Sequence, residues 1–198
     1  FSYQNPTRIH FGKNAINKLA SELKAYGQNI LLVYGKASIK KIGLYDQVIN
    51  ILQAEGKHVV ELAGINANPR YTQLLEGARL VREHNIDLIL AVGGGSVIDC
   101  AKGIACGAYA EGDVWQRYYV NQERVNNPVV PVASILTMAG TGSEMNGGSV
   151  ITNEETKEKI GRVYPLEIAS PKFSILNPEY TYSVPKYQMI SGIFDVFS

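Results

Sequence analysis

The stretch Ala91-Val92-Gly93-Gly94-Gly95-Ser96-Val97-Ile98-Asp99-Cys100-Ala101-Lys102 constrains this chain more than any other. Ahead of the glycines, Ile86-Asp87-Leu88-Ile89-Leu90-Ala91-Val92 has the pattern of a buried strand. Beyond them Val97, Ile98, Ala101, Ile104 and Ala105 recur with helical spacing. A strand that passes through three glycines into a helix lets backbone N–H groups point at an anion. No Cβ holds a phosphate away, and the helix dipole favours negative charge. Ser96-Val97-Ile98-Asp99 reads as a capping box with Ser96 as the N-cap. On that reading Asp99 only closes the cap; on the other it belongs to the ligand site. The place of the glycines between strand and helix favours a diphosphate site over a plain tight turn.

The rest of the first half repeats one rhythm. Arg8-Ile9-His10-Phe11-Gly12 reads as a short edge strand, and Ile16, Leu19, Ala20 and Leu23 mark an amphipathic helix ending near Gly27. Asn29-Ile30-Leu31-Leu32-Val33-Tyr34-Gly35 is a nearly continuous apolar run, as expected of a parallel strand covered on both faces. A helix through Val48, Ile49 and Leu52 stops at Gly56, and Val59-Val60-Glu61-Leu62 is the next strand. A loop with Asn66, Asn68 and Pro69 leads to a third helix through Leu74, Leu75, Ala78 and Val81. Strands alternating with helices over short connections predict an α/β fold, a doubly wound parallel sheet with right-handed crossovers.

After residue 107 the rhythm changes. A short helix is expected within 113–119, and Val129 to Leu136 is a strand that ends at a second loop, Thr137-Met138-Ala139-Gly140-Thr141-Gly142-Ser143-Glu144. Ser149 to Thr152 and Lys159 to Val163 flank a polar turn and predict an antiparallel hairpin, and Phe173 to Pro178 closes the strand list. Pro185 suits the first turn of a further helix. The expected division is an α/β domain over 1–184 and the start of a second, helical domain over 185–198, so that the chain reads as a piece of something longer.

Composition narrows the function classes. Of 198 residues 45% are hydrophobic and 19% charged, with a net charge of +1, so neither a nucleic acid nor a membrane surface is an expected partner. No apolar run approaches a membrane span. Cys100 and Cys106, six residues apart on one helix, face different ways and read as buried free thiols of a reducing, cytoplasmic compartment.

Three stretches in order carry a resemblance: Gly93 to Lys102, Gly140-Thr141-Gly142-Ser143-Glu144, and Leu176-Asn177-Pro178 running through Pro185 to Gly192 and Asp195. Together with Asn5-Pro6-Thr7 and Phe11-Gly12 they resemble the iron-containing (group III) alcohol dehydrogenases, most of all the NADPH-dependent butanol dehydrogenase and aldehyde reductase branch. The resemblance covers the whole chain and the amino-terminal half of a family member. It implies a Rossmann-like domain binding NAD(P) and a helical domain holding a divalent iron or zinc ion. Gly94, Gly95 and Ser96 would then contact the diphosphate, with Asp99 near the nicotinamide. Asn68, Thr137, Thr141, Asn146, Lys159 and Tyr180 would be further nucleotide contacts, although Lys159 also reads as a solvated hairpin charge. The implied reaction is reversible hydride transfer to a small aldehyde or from a small alcohol. Glycerol dehydrogenases and dehydroquinate synthase-like enzymes share the glycine loop and stay open as alternatives, as does a nucleotide-binding module without chemistry.

The same resemblance makes Asp195 a metal ligand, paired in the family with a histidine four residues on. Ser198 stands one residue short of that position, and His10, His58 and His84 match none of the ligand positions. The expectation is an incomplete metal site and a chain inactive by itself. Dimerisation through the amino-terminal strand, giving a homodimer, is implied too. Cofactor preference has a physical argument. A site selective for NAD places a carboxylate after its second strand to bind the ribose 2′-hydroxyl. Here Gly35-Lys36-Ala37-Ser38-Ile39-Lys40-Lys41 offers room at Gly35, a hydroxyl at Ser38 and three lysines, which favours NADP, with NAD also admissible. A basic loop merely facing water leaves the preference open.

Overall fold

The computed structural model describes residues 4–197. Its strands are β1 (Arg8–Phe11), β2 (Asn29–Tyr34), β3 (His58–Leu62), β4 (Leu88–Gly93), β5 (Val132–Leu136), β6 (Gly148–Asn153), β7 (Glu158–Val163) and β8 (Phe173–Leu176). The helices are α1 (Leu19–Leu23), α2 (Ser38–Lys41), α3 (Leu44–Ala54), α4 (Tyr71–Glu83), α5 (Gly95–Gly107), α6 (Leu166–Ala169) and α7 (Lys186–Phe197). Six strands form one parallel sheet in the order β1-β8-β5-β4-β2-β3, and β6 and β7 form the antiparallel hairpin. The segment after α5 contains a π-helical turn, Trp115–Val120, where an ordinary short helix is expected.

The apolar runs are continuous because both faces of the sheet are covered. Along β2 the side chains alternate: Leu31 and Val33 pack with α4, α5 and the hairpin, while Ile30 and Leu32 pack with α1 and α3. Phe173 and Ile175 of β8 and Ala133 and Ile135 of β5 join the second of these layers. Both cysteines are buried and unbridged, as expected, and burial pushes each thiol up to about 12.

Strand order fixes where a ligand can sit. From β2 the chain steps outward to β3, returns to β4 on the other side of β2, and continues away through β5. The direction reverses between β2 and β4, and in open parallel sheets the crevice at the carboxyl ends of such strands takes ligands. Gly35 follows β2 and Gly94 follows β4, so both loops named from sequence flank this reversal.

Candidate dinucleotide site

α5 begins at Gly95, the last of the three glycines, with Gly94 as its N-cap. The Val97 and Ile98 amides both donate to the Gly94 carbonyl, at 3.0 and 3.3 Å. The amides of Gly95 and Ser96 precede the first helical hydrogen bond and have no carbonyl within the helix to take. Gly95 is required by its surroundings, because a Cβ there would lie 2.4 Å from Thr141 Oγ1. The glycine loop and the second loop are therefore in contact, and only a hydrogen at Gly95 keeps the space between them open.

The capping box expected from Ser96 and Asp99 is not formed. The Ser96 hydroxyl donates to the Ala67 carbonyl, 29 residues away, and α5 has no side-chain cap. Asp99 instead faces the hairpin: its Oδ2 accepts the Val150 amide at 3.1 Å, and Ser149 Oγ donates to its backbone carbonyl at 2.8 Å. Asp99 Oδ1 is buried without a hydrogen-bond partner. Burial raises the Asp99 carboxyl above its ordinary value, against the pull of the Lys102 charge. A buried acceptor with spare capacity beside a helix N-terminus fits a polar ligand carrying donors, as a ribose or a carboxamide does.

The other residues named from sequence fall into three groups. Ser38, Gly94 and Thr137 line one cleft of about 250 Å³, together with Met138, Val184 and Pro185. Gly35 is not among the residues that line this cleft; it has room for a side chain, since a Cβ there would meet only Ile65 O at 3.7 Å and Val97 Cγ2 at 3.9 Å. Thr141 and Asn146 belong to the second loop, where Thr141 Oγ1 and Ser143 Oγ lie 2.8 Å apart and Asn146 Nδ2 donates to the Thr141 carbonyl at 3.2 Å. Asn68 and Lys159 form the third group and are hydrogen-bonded to each other at 2.8 Å. Tyr180 stands apart, with its hydroxyl turned onto Gln47 of α3 at 3.3 Å.

Lys102 is the polar residue that the sequence reading passed over. It is completely buried, and its ammonium donates to Asn146 Oδ1 and to the Gly148 carbonyl, each at 3.0 Å. Burial lowers its pKa to about 8 against the attraction of Asp99 and Glu144. A sequence signal for it exists: Lys102 follows Ile98 by four residues and so falls within the apolar stripe of the helix, where a charge needs a partner.

Asp195 lies over the second loop. A Cβ on Gly140 would be 3.6 Å from Asp195 Oδ2 and 3.3 Å from the Gly192 Cα, and Gly140 has a φ of +157°. A transition metal needs three or four donors. Among the described residues no group of three or more His, Cys, Asp or Glu could hold one, so these residues do not make a metal centre by themselves.

Known proteins agree with this fold. The family model of the iron-containing alcohol dehydrogenases matches residues 6–178. The chain is 52% identical over 198 residues to the probable NADH-dependent butanol dehydrogenase 1 of Bacillus subtilis, covering 100% of this chain and 50% of that protein. It is 39% identical to the NADPH-dependent aldehyde reductase YqhD of Escherichia coli over 199 residues, again 100% of this chain and 50% of the relative. The crystal structure of the NADH-dependent butanol dehydrogenase A of Thermotoga maritima superposes with a TM-score of 0.91 at 39% identity, covering 98% of this chain and 48% of that one. The chain thus spans about half the length of the curated relatives it matches. Their names divide between NADH and NADPH, so kinship alone leaves the 2′ group of the cofactor open. The family match, the named relatives and the parallel sheet with its glycine-led helix agree, and the chain belongs to the iron-containing alcohol dehydrogenase family.

Proposed function

We propose that this chain is the cofactor-binding half of a metal-dependent alcohol dehydrogenase, and that it binds NADP in preference to NAD. The observation that carries the reading is the contact between the two loops. Gly94, Gly95 and Ser96 start a helix beside Thr141, and the unpartnered Asp99 oxygen lies in the same helix one turn on. The bound dinucleotide supplies the hydride that is transferred to a small aldehyde or recovered from a small alcohol.

The roles of the chain's own residues follow from their chemistry. The Gly95 and Ser96 amides bind the diphosphate at the positive end of α5. Asp99 accepts a hydrogen bond from the nicotinamide half, and Thr141 and Asn146 line that end. Asn68 and Lys159 close one side of the groove as a pair. Gly35 leaves room for a 2′-phosphate, Ser38 opens α2 with a free hydroxyl donor, and the lysines of this segment supply positive charge. Thr137 borders the same cleft. Tyr180 supports the turn that leads to α7, and Asp195 is the chain's own contribution to a metal site completed by other residues. With one such carboxylate the isolated chain is inactive.

The remaining features of the reading concern the whole protein. The α/β domain ends at residue 184, and α7 begins the helical domain over 185–198. Two copies pair through β1, an edge strand whose Phe11 is 73% exposed. The buried free thiols suit the cytoplasm.

The test is a fluorescence titration of the chain with NADPH and NADH in parallel, with metal ions chelated. Saturable binding that favours NADPH is the expected result. Equal binding removes the 2′-phosphate argument, and no binding of either removes the site.

A further inference from the structure

Lys102 sits one to two turns past the glycines on α5, entirely out of solvent, yet it spends its charge on a loop. Its Nζ holds Asn146 Oδ1 and the Gly148 carbonyl, each at 3.0 Å. The same Asn146 oxygen accepts the Gly148 amide at 2.8 Å, while Nδ2 donates to the Thr141 carbonyl at 3.2 Å. An ammonium is a donor only, so the carboxamide must present its oxygen to Lys102 and its nitrogen to Thr141. One buried cation thereby sets the direction of Asn146 and the path of the loop from Thr141 to Gly148.

We propose that Lys102 is a positioning residue for the nicotinamide half of the dinucleotide: through Asn146 it fixes the Thr141–Gly148 loop, while the diphosphate cradle at Gly94–Ser96 stands without it. The inference rests on the dinucleotide reading above. It separates two parts of the site by what supports them. The cradle is backbone at the start of α5, held by the helix itself and by Gly94 as cap. The loop, in contrast, runs through a left-handed Gly142 and a single turn, Ser143–Met145, and it depends on side-chain bonds for its shape. Simple packing does not explain Lys102. Burying an ammonium is unfavourable unless its hydrogen bonds are met, and an apolar side chain of the same length would leave the Asn146 oxygen and the Gly148 carbonyl without this donor.

The groups facing the ammonium are Asp99 and Cys106 on its own helix, Glu144 on the turn before Asn146, and the carbonyl of Gly148 on β6. Lys159 of β7 acts on Asp99 from the far side. Burial brings the Lys102 pKa to about 8, so its charge falls away just above neutral pH.

The experiment compares the wild-type chain with Lys102→Met by calorimetric titration with two probes: NADPH, and 2′-phospho-ADP-ribose, which keeps the diphosphate and lacks the nicotinamide. The expected result is a loss of about tenfold in NADPH affinity with 2′-phospho-ADP-ribose unchanged within twofold. In the wild type the advantage of NADPH over 2′-phospho-ADP-ribose shrinks between pH 7 and pH 9, and in Lys102→Met it is flat. An equal loss for both probes, or a loss for neither, overturns the proposal. If Lys102→Met does not fold, the wild-type pH profile decides: an NADPH advantage that shrinks between pH 7 and pH 9 supports the proposal, and one that stays level overturns it. A wild-type chain that binds 2′-phospho-ADP-ribose but gains nothing from the nicotinamide overturns this inference alone. One that binds neither probe overturns the dinucleotide reading as well.

Discussion

Asn68 and Lys159 meet across 91 positions of sequence, the Lys159 ammonium donating to the Asn68 side-chain oxygen at 2.8 Å. The bond ties the loop after β3 to the second strand of the hairpin. It is exposed, and an exposed polar pair of this kind contributes ~0.2–1 kcal/mol to stability. Lys159→Ala should therefore leave the melting temperature nearly unchanged. If Lys159 borders the cofactor, NADPH affinity falls by about tenfold in the same variant, since a positive charge near a polyanion is lost. Unchanged affinity returns Lys159 to the role of a solvated hairpin charge.

Gly95→Ala tests the contact between the two loops. The added methyl would sit 2.4 Å from Thr141 Oγ1 and 3.2 Å from Ser143 Oγ, so the second loop must move. Overpacking of this kind costs ~1–3 kcal/mol. The expected outcome is a lower melting temperature together with lost dinucleotide binding, and Thr141→Ala added to Gly95→Ala should recover part of both. Unimpaired binding in the single variant refutes the cradle.

Gly35→Asp addresses the cofactor preference. Gly35 has ordinary backbone geometry and space for a side chain, with the nearest atom to a new Cβ at 3.7 Å. A carboxylate after β2 would accept from a ribose 2′-hydroxyl and repel a 2′-phosphate. The ratio of NADPH to NADH affinity should drop by about tenfold or more, roughly 1.4 kcal/mol of discrimination. A ratio that stays put means that the 2′ position lies elsewhere.

Much of this could be read from the chain alone, and the failures have one cause. The parallel strands, the hairpin and the helix after Pro185 were legible because each is written in consecutive residues: apolar runs, a polar turn, a proline. The capping box between Ser96 and Asp99 fails because it is a local pattern, while the partners of both side chains are distant. Ala67 takes the Ser96 hydroxyl, and Val150 gives its amide to Asp99. Lys102 escaped notice for the same reason, since Asn146 and Gly148 come to it only once β6 packs on α5. Tyr180 directs its hydroxyl at Gln47, 133 positions away, a contact of the same long-range kind.

Glu22 gives the fold a dependence on acid. Hydrogen bonds from the Arg8 guanidinium, at 2.9 and 2.5 Å, hold the Glu22 carboxyl below the usual carboxylate range, and His10 Nε2 lies 2.7 Å away. A carboxyl whose pKa falls on folding contributes stability above its unfolded value, about 4.3, and that contribution is lost as pH drops through the folded value. Glu22→Gln should be less stable than wild type at pH 7, by about 1–2 kcal/mol. The difference should close below pH 4, as urea denaturation at the two pH values would show. A gap that persists in acid assigns the loss to packing.

The sheet order has a consequence for the time at which the fold can be completed. Among the described residues β1 is paired to β8 alone, Arg8 opposite Phe173 and Phe11 opposite Leu176. During synthesis the first strand therefore waits for the last. The reversal between β2 and β4, and with it the glycine cradle, can assemble on a nascent chain whose opening strand still has no neighbour. Only when residues 173–176 have cleared the ribosome does β8 slide in between β5 and β1 and seal that edge. Until that moment the growing polypeptide carries the β2–β4 reversal on an open sheet, its cleft still without the wall that Val184 and Pro185 bring.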